Sequence, residues 1–481
     1  MRAIILLALG VTVAAPARAQ STPTERQAAK AVLESIDHLQ TQLAPARTAE
    51  RLATRADVER DRVLQRVEQY WKGGGMEALS DWIGHHPEVG FKEFKSVDTL
   101  TKVLRAAGFR VETGVASLPT AFVATWDSPA GTNGPTLGLI GEYDALRGTQ
   151  GDFHGDQHNA QTPVAIAAAR AVMDFMTERR VPGRVKIFGT PAEEVGPPTK
   201  TMMQKAGLFQ GTAILVRSHG TGGGTSRARA GFGVCCLNIN ELKYVFKGRP
   251  AHQLQSWNGR NALEAAVMFY TAVDRLRSSL RPEASIQGVI PEGGIAPNVV
   301  PDRAVVDYYL RYPDEVYLAH VDSMVTSAAR AAAMATGTQV EIQRYGEYRD
   351  GITLGTLEEL TYAYAKKLGA PRLRDEPERP NGYEETGYLS RDVPGVGVSV
   401  ASSNSANHTY EMTADNFNEL GHTAFLLDAK IMAAVLYHFL TDAGFRTQVQ
   451  TEHRTMAQLL DQYIAALRDT YKPELSLTTS P

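Results

Sequence analysis

Leu237-Asn238-Ile239-Asn240-Glu241-Leu242-Lys243-Tyr244-Val245-Phe246 alternates side chains in the period of two that marks a strand. The residues downstream give this strand its meaning. Residues 261–278 carry a helical apolar stripe, 285–290 and 304–310 read as strands, 315–335 as a helix and 338–343 as a strand. The order β-α-β-β-α-β is the split unit that builds a four-stranded sheet with two helices on one face. At 357–368 the chain resumes a helical pattern of a different unit. Residues 237–352 are therefore expected to form a smaller domain inserted into a larger one, which is easy when its two ends lie close together at a surface.

The larger unit reads as a doubly wound α/β domain with a mixed sheet, in two parts, 20–236 and 353–447. Residues 24–71 form a helical lead-in, Gly73-Gly74-Gly75 breaks it, and 76–83 and 95–106 begin further helices. Strands are expected at 121–126, 136–140, 185–189, 213–217 and 396–400, with helices at 162–177, 200–206 and 413–440. The helix at 162–177 is opened by Asn159 and carries Pro163 in its first turn, a position that tolerates proline. Residues 374–380 read as a surface loop, and 448–481 as a short helix followed by a polar tail.

The strands at 136–140, 185–189, 213–217 and 396–400 run into polar residues. Glu142-Tyr143-Asp144 and His154-Gly155-Asp156-Gln157-His158-Asn159 follow the strand at 136–140, and Glu193-Glu194 follows that at 185–189. Ser218-His219 follows 213–217, and His408 comes after 396–400. In open α/β sheets ligands collect outside the carboxyl ends of the strands. Three histidines (His158, His219, His408) and two carboxylates (Asp156, Glu194) suit a pair of divalent ions, Zn²⁺ first and Mn²⁺ or Co²⁺ as alternatives. Asp156 has two oxygens and can bridge the ions. Glu193 and Glu194 are adjacent and point in different directions, so one can hold metal while the other serves as general base. Asp144 can orient a ligating histidine through its far ring nitrogen.

Further stretches complete the picture: Asp81-Trp82-Ile83-Gly84-His85-His86-Pro87-Glu88-Val89-Gly90-Phe91, Asp144-Ala145-Leu146, Pro191-Ala192-Glu193-Glu194, Gly248-Arg249-Pro250-Ala251-His252 and Asn298-Val299-Val300-Pro301-Asp302. With His154 to Asn159, His219 and His408, they span about residues 76–440. In this order and spacing the chain resembles the M20 metallopeptidase and amidohydrolase family. It is most similar to the branch that includes aminobenzoyl-glutamate hydrolase, hippurate hydrolase and the auxin-conjugate amidohydrolases.

The resemblance implies a two-metal catalytic domain with an inserted lid or dimerisation domain, and hence a homodimer. It implies Glu193 as the base and Glu194, His158, His219 and His408 as metal ligands. His252 matches a lid histidine that reaches the scissile carbonyl, often in the partner's site. Asn298 matches a lid residue near the same carbonyl, and Arg311 an arginine that helps to hold a substrate carboxylate. The chain departs from the branch in two places. His-x-Cys-Gly-His becomes His154-Gly155-Asp156-Gln157-His158, with a carboxylate in place of the thiolate and Gln157 in place of glycine. Residues 387–394 look shortened.

The implied activity is metal-dependent hydrolysis of the amide bond of small N-acyl or N-aroyl amino acids. The readings weighed against it are a dipeptidase or aminopeptidase of the same fold and a non-catalytic binding or scaffold protein. With 50 Lys and Arg against 53 Asp and Glu, the chain lacks the basic surface that nucleic acid requires. Two adjacent cysteines exclude a disulfide framework. The apolar run from Ile4 to Val13, followed by Ala17-Arg18-Ala19, reads as a signal peptide over 1–19, so the protein is expected to be exported, periplasmic or secreted. No later stretch reads as long and apolar enough to cross a membrane.

Overall fold

In a computed structural model, residue 27 and residues 29–475 apart from Cys236 are described. The expected signal segment 1–19 and the end of the polar tail lie outside them.

The described residues open with three helices, α1 (Lys30–Leu43), α2 (Pro45–Thr54) and α3 (Val58–Glu68), followed by α4 (Met76–Gly84) and α5 (Phe94–Ala106). The large sheet then forms from β1 (Arg110–Thr113), β2 (Phe122–Asp127), β3 (Thr136–Gly141), β4 (Arg184–Gly189) and β5 (Thr212–Ser218), with α6 (His158–Glu178) and α7 (Thr199–Lys205) between them. A short strand β6 (Gly231–Gly233) precedes the insertion, which comprises β7 (Asn238–Lys247), α8 (Ala262–Leu276), β8 (Ser285–Glu292), β9 (Arg303–Tyr312), α9 (Glu315–Thr336) and β10 (Gln339–Tyr348). The chain returns through β11 (Gly351–Thr353), α10 (Gly355–Lys367), α11 (Tyr388–Asp392) and β12 (Gly395–Val398). The last described elements are α12 (Tyr410–Asp415), α13 (Glu419–Thr441) and α14 (Ala443–Leu475).

The large sheet has the order β1-β2-β4-β3-β5-β12. Strands β4, β3, β5 and β12 are parallel, and β2 and β1 join antiparallel, so the sheet is mixed. Alternate side chains feed two cores: Leu137, Leu139, Val185, Ile187, Ile214 and Val216 on one face, Ile140, Phe188 and Leu215 on the other. A sheet covered on both faces needs such continuous apolar runs. The insertion forms a separate antiparallel sheet, β10-β7-β9-β8, with α8 and α9 packed on it. Strands β6 and β11 pair with each other where the chain enters and leaves the insertion.

Four sequence expectations are corrected. Helix α6 starts at His158, a turn before the expected 162, so Pro163 lies inside it. The helix expected over 413–440 is two helices, because the Asn418 side chain accepts from the Gly421 N–H at 3.1 Å and caps a new helix start. The short terminal helix is instead the 33-residue α14. Finally, α13 does reach the length and mean hydropathy of a membrane span, but 83% of its apolar window is buried in the core.

Candidate metal centre and its cleft

Because β4, β3, β5 and β12 run parallel, their carboxyl ends open on one edge of the sheet. Glu142 and Asp144 follow β3, Glu193 and Glu194 follow β4, His219 follows β5, and His408 lies on the loop beyond β12. His158 is the first residue of α6. The loops of β5 and β12 cross closely at Gly222, where a Cβ would stand 1.6 Å from the Ser405 carbonyl oxygen, so only glycine fits.

The structure brings all five expected metal ligands together. Ligand atoms of Asp156, Glu194 and His408 lie within 4.8 Å of one another, as do those of His158, Glu193 and Glu194, and those of Glu142, His158 and His219. Asp156 Oδ2 meets His408 Nε2 at 2.7 Å, and Asn407 Nδ2 donates to Asp156 Oδ1 at 2.5 Å. Burial opposes the charge on Asp156, but the His408 hydrogen bond and the neighbouring His219 and His158 hold its carboxyl well below the usual range. Burial, against the help of His158, pushes Glu194 up to about 7.

Asp144 stands where an orienting group is needed. Its Oδ1 is 3.0 Å from His158 Nδ1, and its Oδ2 accepts the Glu194 backbone N–H at 3.0 Å. One carboxylate thus fixes two expected ligands. The other ring nitrogen, His158 Nε2, is buried without a hydrogen-bond partner and lies 3.4 Å from Glu142 Oε2 and 4.0 Å from Glu193 Oε2. His219 Nδ1 meets the Gly220 carbonyl at 2.9 Å, which leaves its Nε2 for the centre. An orphaned buried imidazole nitrogen whose other nitrogen is tied to a carboxylate, among further carboxylates and histidines, is a donor set that fits divalent metal.

Glu193 is raised well above the usual carboxyl range, first by burial and then by the carboxylates of Glu385 and Glu142. A carboxyl in that state can hold a proton between two transfers. Beneath it lies a charge cluster with no obvious signature in sequence. Lys200 pairs with Glu142 and, at 2.5 Å, with Glu385, while Arg217 reaches Glu142 at 3.0 Å and Glu385 at 3.1 Å. Glu142 is thereby committed to cations of the chain, and it is held ionised by Lys200 and Arg217 against the cost of burial. Glu142 was visible only as a polar residue at a strand end. Its partners are Lys200 of α7, Arg217 of β5 and Gln161 of α6, while Glu385, from the loop before α11, shares the two cations, and no spacing pointed to them.

Two residues of the site, one in the turn before α6 and one on the loop beyond β12, take left-handed backbone conformations. Gln157, at the usual glycine position, has φ 59°, and His408 has φ 65°. Gln157 keeps the left-handed conformation that glycine would adopt easily, and its side chain accepts the Ser402 hydroxyl. His154 is buried beside this turn and outside the three ligand groups. Burial, then His158, lowers it to about 3.

The centre opens into a cleft of about 620 Å³ between the two sheets, lined among others by Glu193, Glu194, Arg217, His219, Tyr309 and Arg311. Arg311 is thus in the same cleft as the candidate ligands. His252 and Asn298 are not among its lining residues. They sit side by side at the exposed tip of the insertion, joined by Gln253 N–H to the Asn298 carbonyl at 3.1 Å and by pairing of His252 with Val299.

Residues 232–336 match the family model described as a peptidase dimerisation domain. The chain is 28% identical to a p-aminobenzoyl-glutamate hydrolase subunit of Escherichia coli, over 78% of this chain and 91% of the relative. It is 30% identical to human Xaa-Arg dipeptidase, over 74% of this chain and 83% of the relative. Among solved structures, an aminobenzoyl-glutamate utilization protein from Klebsiella pneumoniae superposes with a TM-score of 0.58 at 17% identity, covering 78% of this chain and 99% of that one. A dinuclear metal binding peptidase of the M20 family from Bacillus subtilis superposes with a TM-score of 0.51 at 19% identity, over 76% and 98% of the two chains. The shared fold and the extent of the human relative that is matched place the chain in the M20 family of metallopeptidases and amidohydrolases.

Proposed function

We propose that this protein hydrolyses the amide bond of small N-acyl or N-aroyl amino acids. Asp156, His158, Glu194, His219 and His408 would hold two divalent ions, Zn²⁺ by preference and Mn²⁺ or Co²⁺ otherwise. When bound, such ions supply Lewis acidity and make water a stronger acid. Glu193 takes the proton from the attacking water and delivers it to the departing nitrogen. Arg311 receives the carboxylate of the amino acid, and Asp144 holds His158 and Glu194 in register. The observation that carries this reading is the buried His158 Nε2, without a hydrogen bond and facing Glu142 and Glu193, while Asp144 secures its other nitrogen.

His252 and Asn298 would enter the partner's cleft in a homodimer. In support, the tip that carries them exposes apolar side chains: Trp257 is 72% exposed and Ile295 fully so. Patches of this kind mark interaction surfaces. Export by the 1–19 segment belongs to the same proposal. The name of the human relative favours a second reading, a dipeptidase acting on substrates with a free amino group. A panel of N-acyl amino acids and free dipeptides on metal-reconstituted protein separates the two. The Glu193→Gln variant is expected to lose turnover by about 10²–10⁴-fold with metal content retained. Undiminished turnover would refute the role of Glu193.

A further inference from the structure

The cleft has a roof as well as a floor. Register pairs Ile239 with Arg311, Glu241 with Tyr309 and Tyr348 with Ile239, so these five side chains share one face of the insertion's sheet. All five line the cleft, while Leu242, Tyr308 and Leu310 on the other face are buried. Two atoms of this roof, Arg311 Nε and Glu241 Oε2, are buried with no hydrogen-bond partner.

Glu241 is only 3% exposed. The chain makes room for its carboxylate with glycines: a Cβ at Gly346 would lie 1.9 Å from Oε2, and one at Gly196, just past Glu194, 3.1 Å away. The lysine nearest along the strand, Lys243, is turned to Asp307 at 3.9 Å. Burial, then Asp307, pushes Glu241 up to about 7. The Tyr309 hydrogen bond and the attraction of Arg311 and Lys243 only partly offset this; the Oε2 acceptor left without a donor is costly to keep, and a cation arriving from the cleft would remove that cost.

We propose that Glu241 selects substrates whose leaving amino acid carries a cationic side chain, with the α-carboxylate on Arg311 and the side-chain cation on Glu241. This rests on the amidohydrolase reading of the same cleft. Diagonal neighbours on paired strands are about 7 Å apart. An extended lysine or arginine side chain spans about 6 Å, so one molecule can meet both groups. An anionic leaving residue would instead face Glu241 as a like charge.

The test compares N-acetyl-arginine with N-acetyl-citrulline, which has the same shape without the charge. Wild-type kcat/KM is expected to favour the arginine substrate by at least about ten-fold, and Glu241→Gln to collapse that ratio, mainly through KM. Calorimetry of free arginine and citrulline on the metal-loaded protein should show the same preference, lost in the variant. Equal treatment of the two by the wild type, or an equal loss for both in Glu241→Gln, would overturn the proposal. If no N-acyl amino acid is cleaved yet the calorimetric preference holds and disappears in Glu241→Gln, the amidohydrolase reading fails while the role of Glu241 as a cation site stands.

Discussion

Asp144 shows how much one side chain can organise. It touches His158 with one oxygen and the Glu194 N–H with the other, so the ring orientation of one candidate ligand and the backbone of another depend on it. Replacing it by Asn keeps the shape and removes the charge. Asp144→Asn is expected to weaken metal affinity by about 10–100-fold, measured by competition with a chelator; unchanged affinity would contradict the assignment. The residues that face the centre could be picked out in sequence because ionisable side chains stand out at the ends of apolar strands. Lys200, Arg217 and Glu385 could not, since their meaning lies in pairing with Glu142 and with one another across the fold.

Among the elements, α10 carries a group whose charge is set by packing. Burial, partly offset by the Ala228 N–H, pushes Glu358 up to about 8 from 4.5. Between those values the folded protein keeps a proton that the unfolded chain releases. Stability from this residue is therefore full below pH 4.5 and is lost as the pH rises through about 8. Glu358→Gln is expected to be more stable than the wild type at pH 8, on the order of a few kcal/mol, and to lose that advantage near pH 4.5. Thermal unfolding at the two pH values checks this, and a variant less stable at pH 8 would contradict it. Most strands and helices were legible because their periodicities of two and 3.6 reflect burial. The three-residue strands β6 and β11 were too short to carry a period. The break before α13 depends on a single cap at Asn418 inside an otherwise unbroken apolar pattern.

In the whole molecule, the insertion holds Arg311 and Glu241 over the centre and carries His252 away from it. Helix α14 ties the two units, with the Tyr471 hydroxyl donating to Asp314 Oδ2 at 3.1 Å beside α9. If His252 serves the partner's cleft, mixing inactive Glu193→Gln and His252→Ala proteins and allowing exchange should restore about a quarter of wild-type activity, since half the dimers are mixed and each has one intact site. No recovery after verified exchange would place His252 in its own chain or outside the reaction. The proposed chemistry depends on the strand-end residues meeting around metal. Anomalous diffraction from crystals grown with zinc or manganese tests this most directly. Two peaks about 3.5–4 Å apart are expected, flanked by Asp156, with His158, Glu194, His219 and His408 around them. A centre without anomalous signal at saturating metal, or peaks bound elsewhere on the chain, would contradict it.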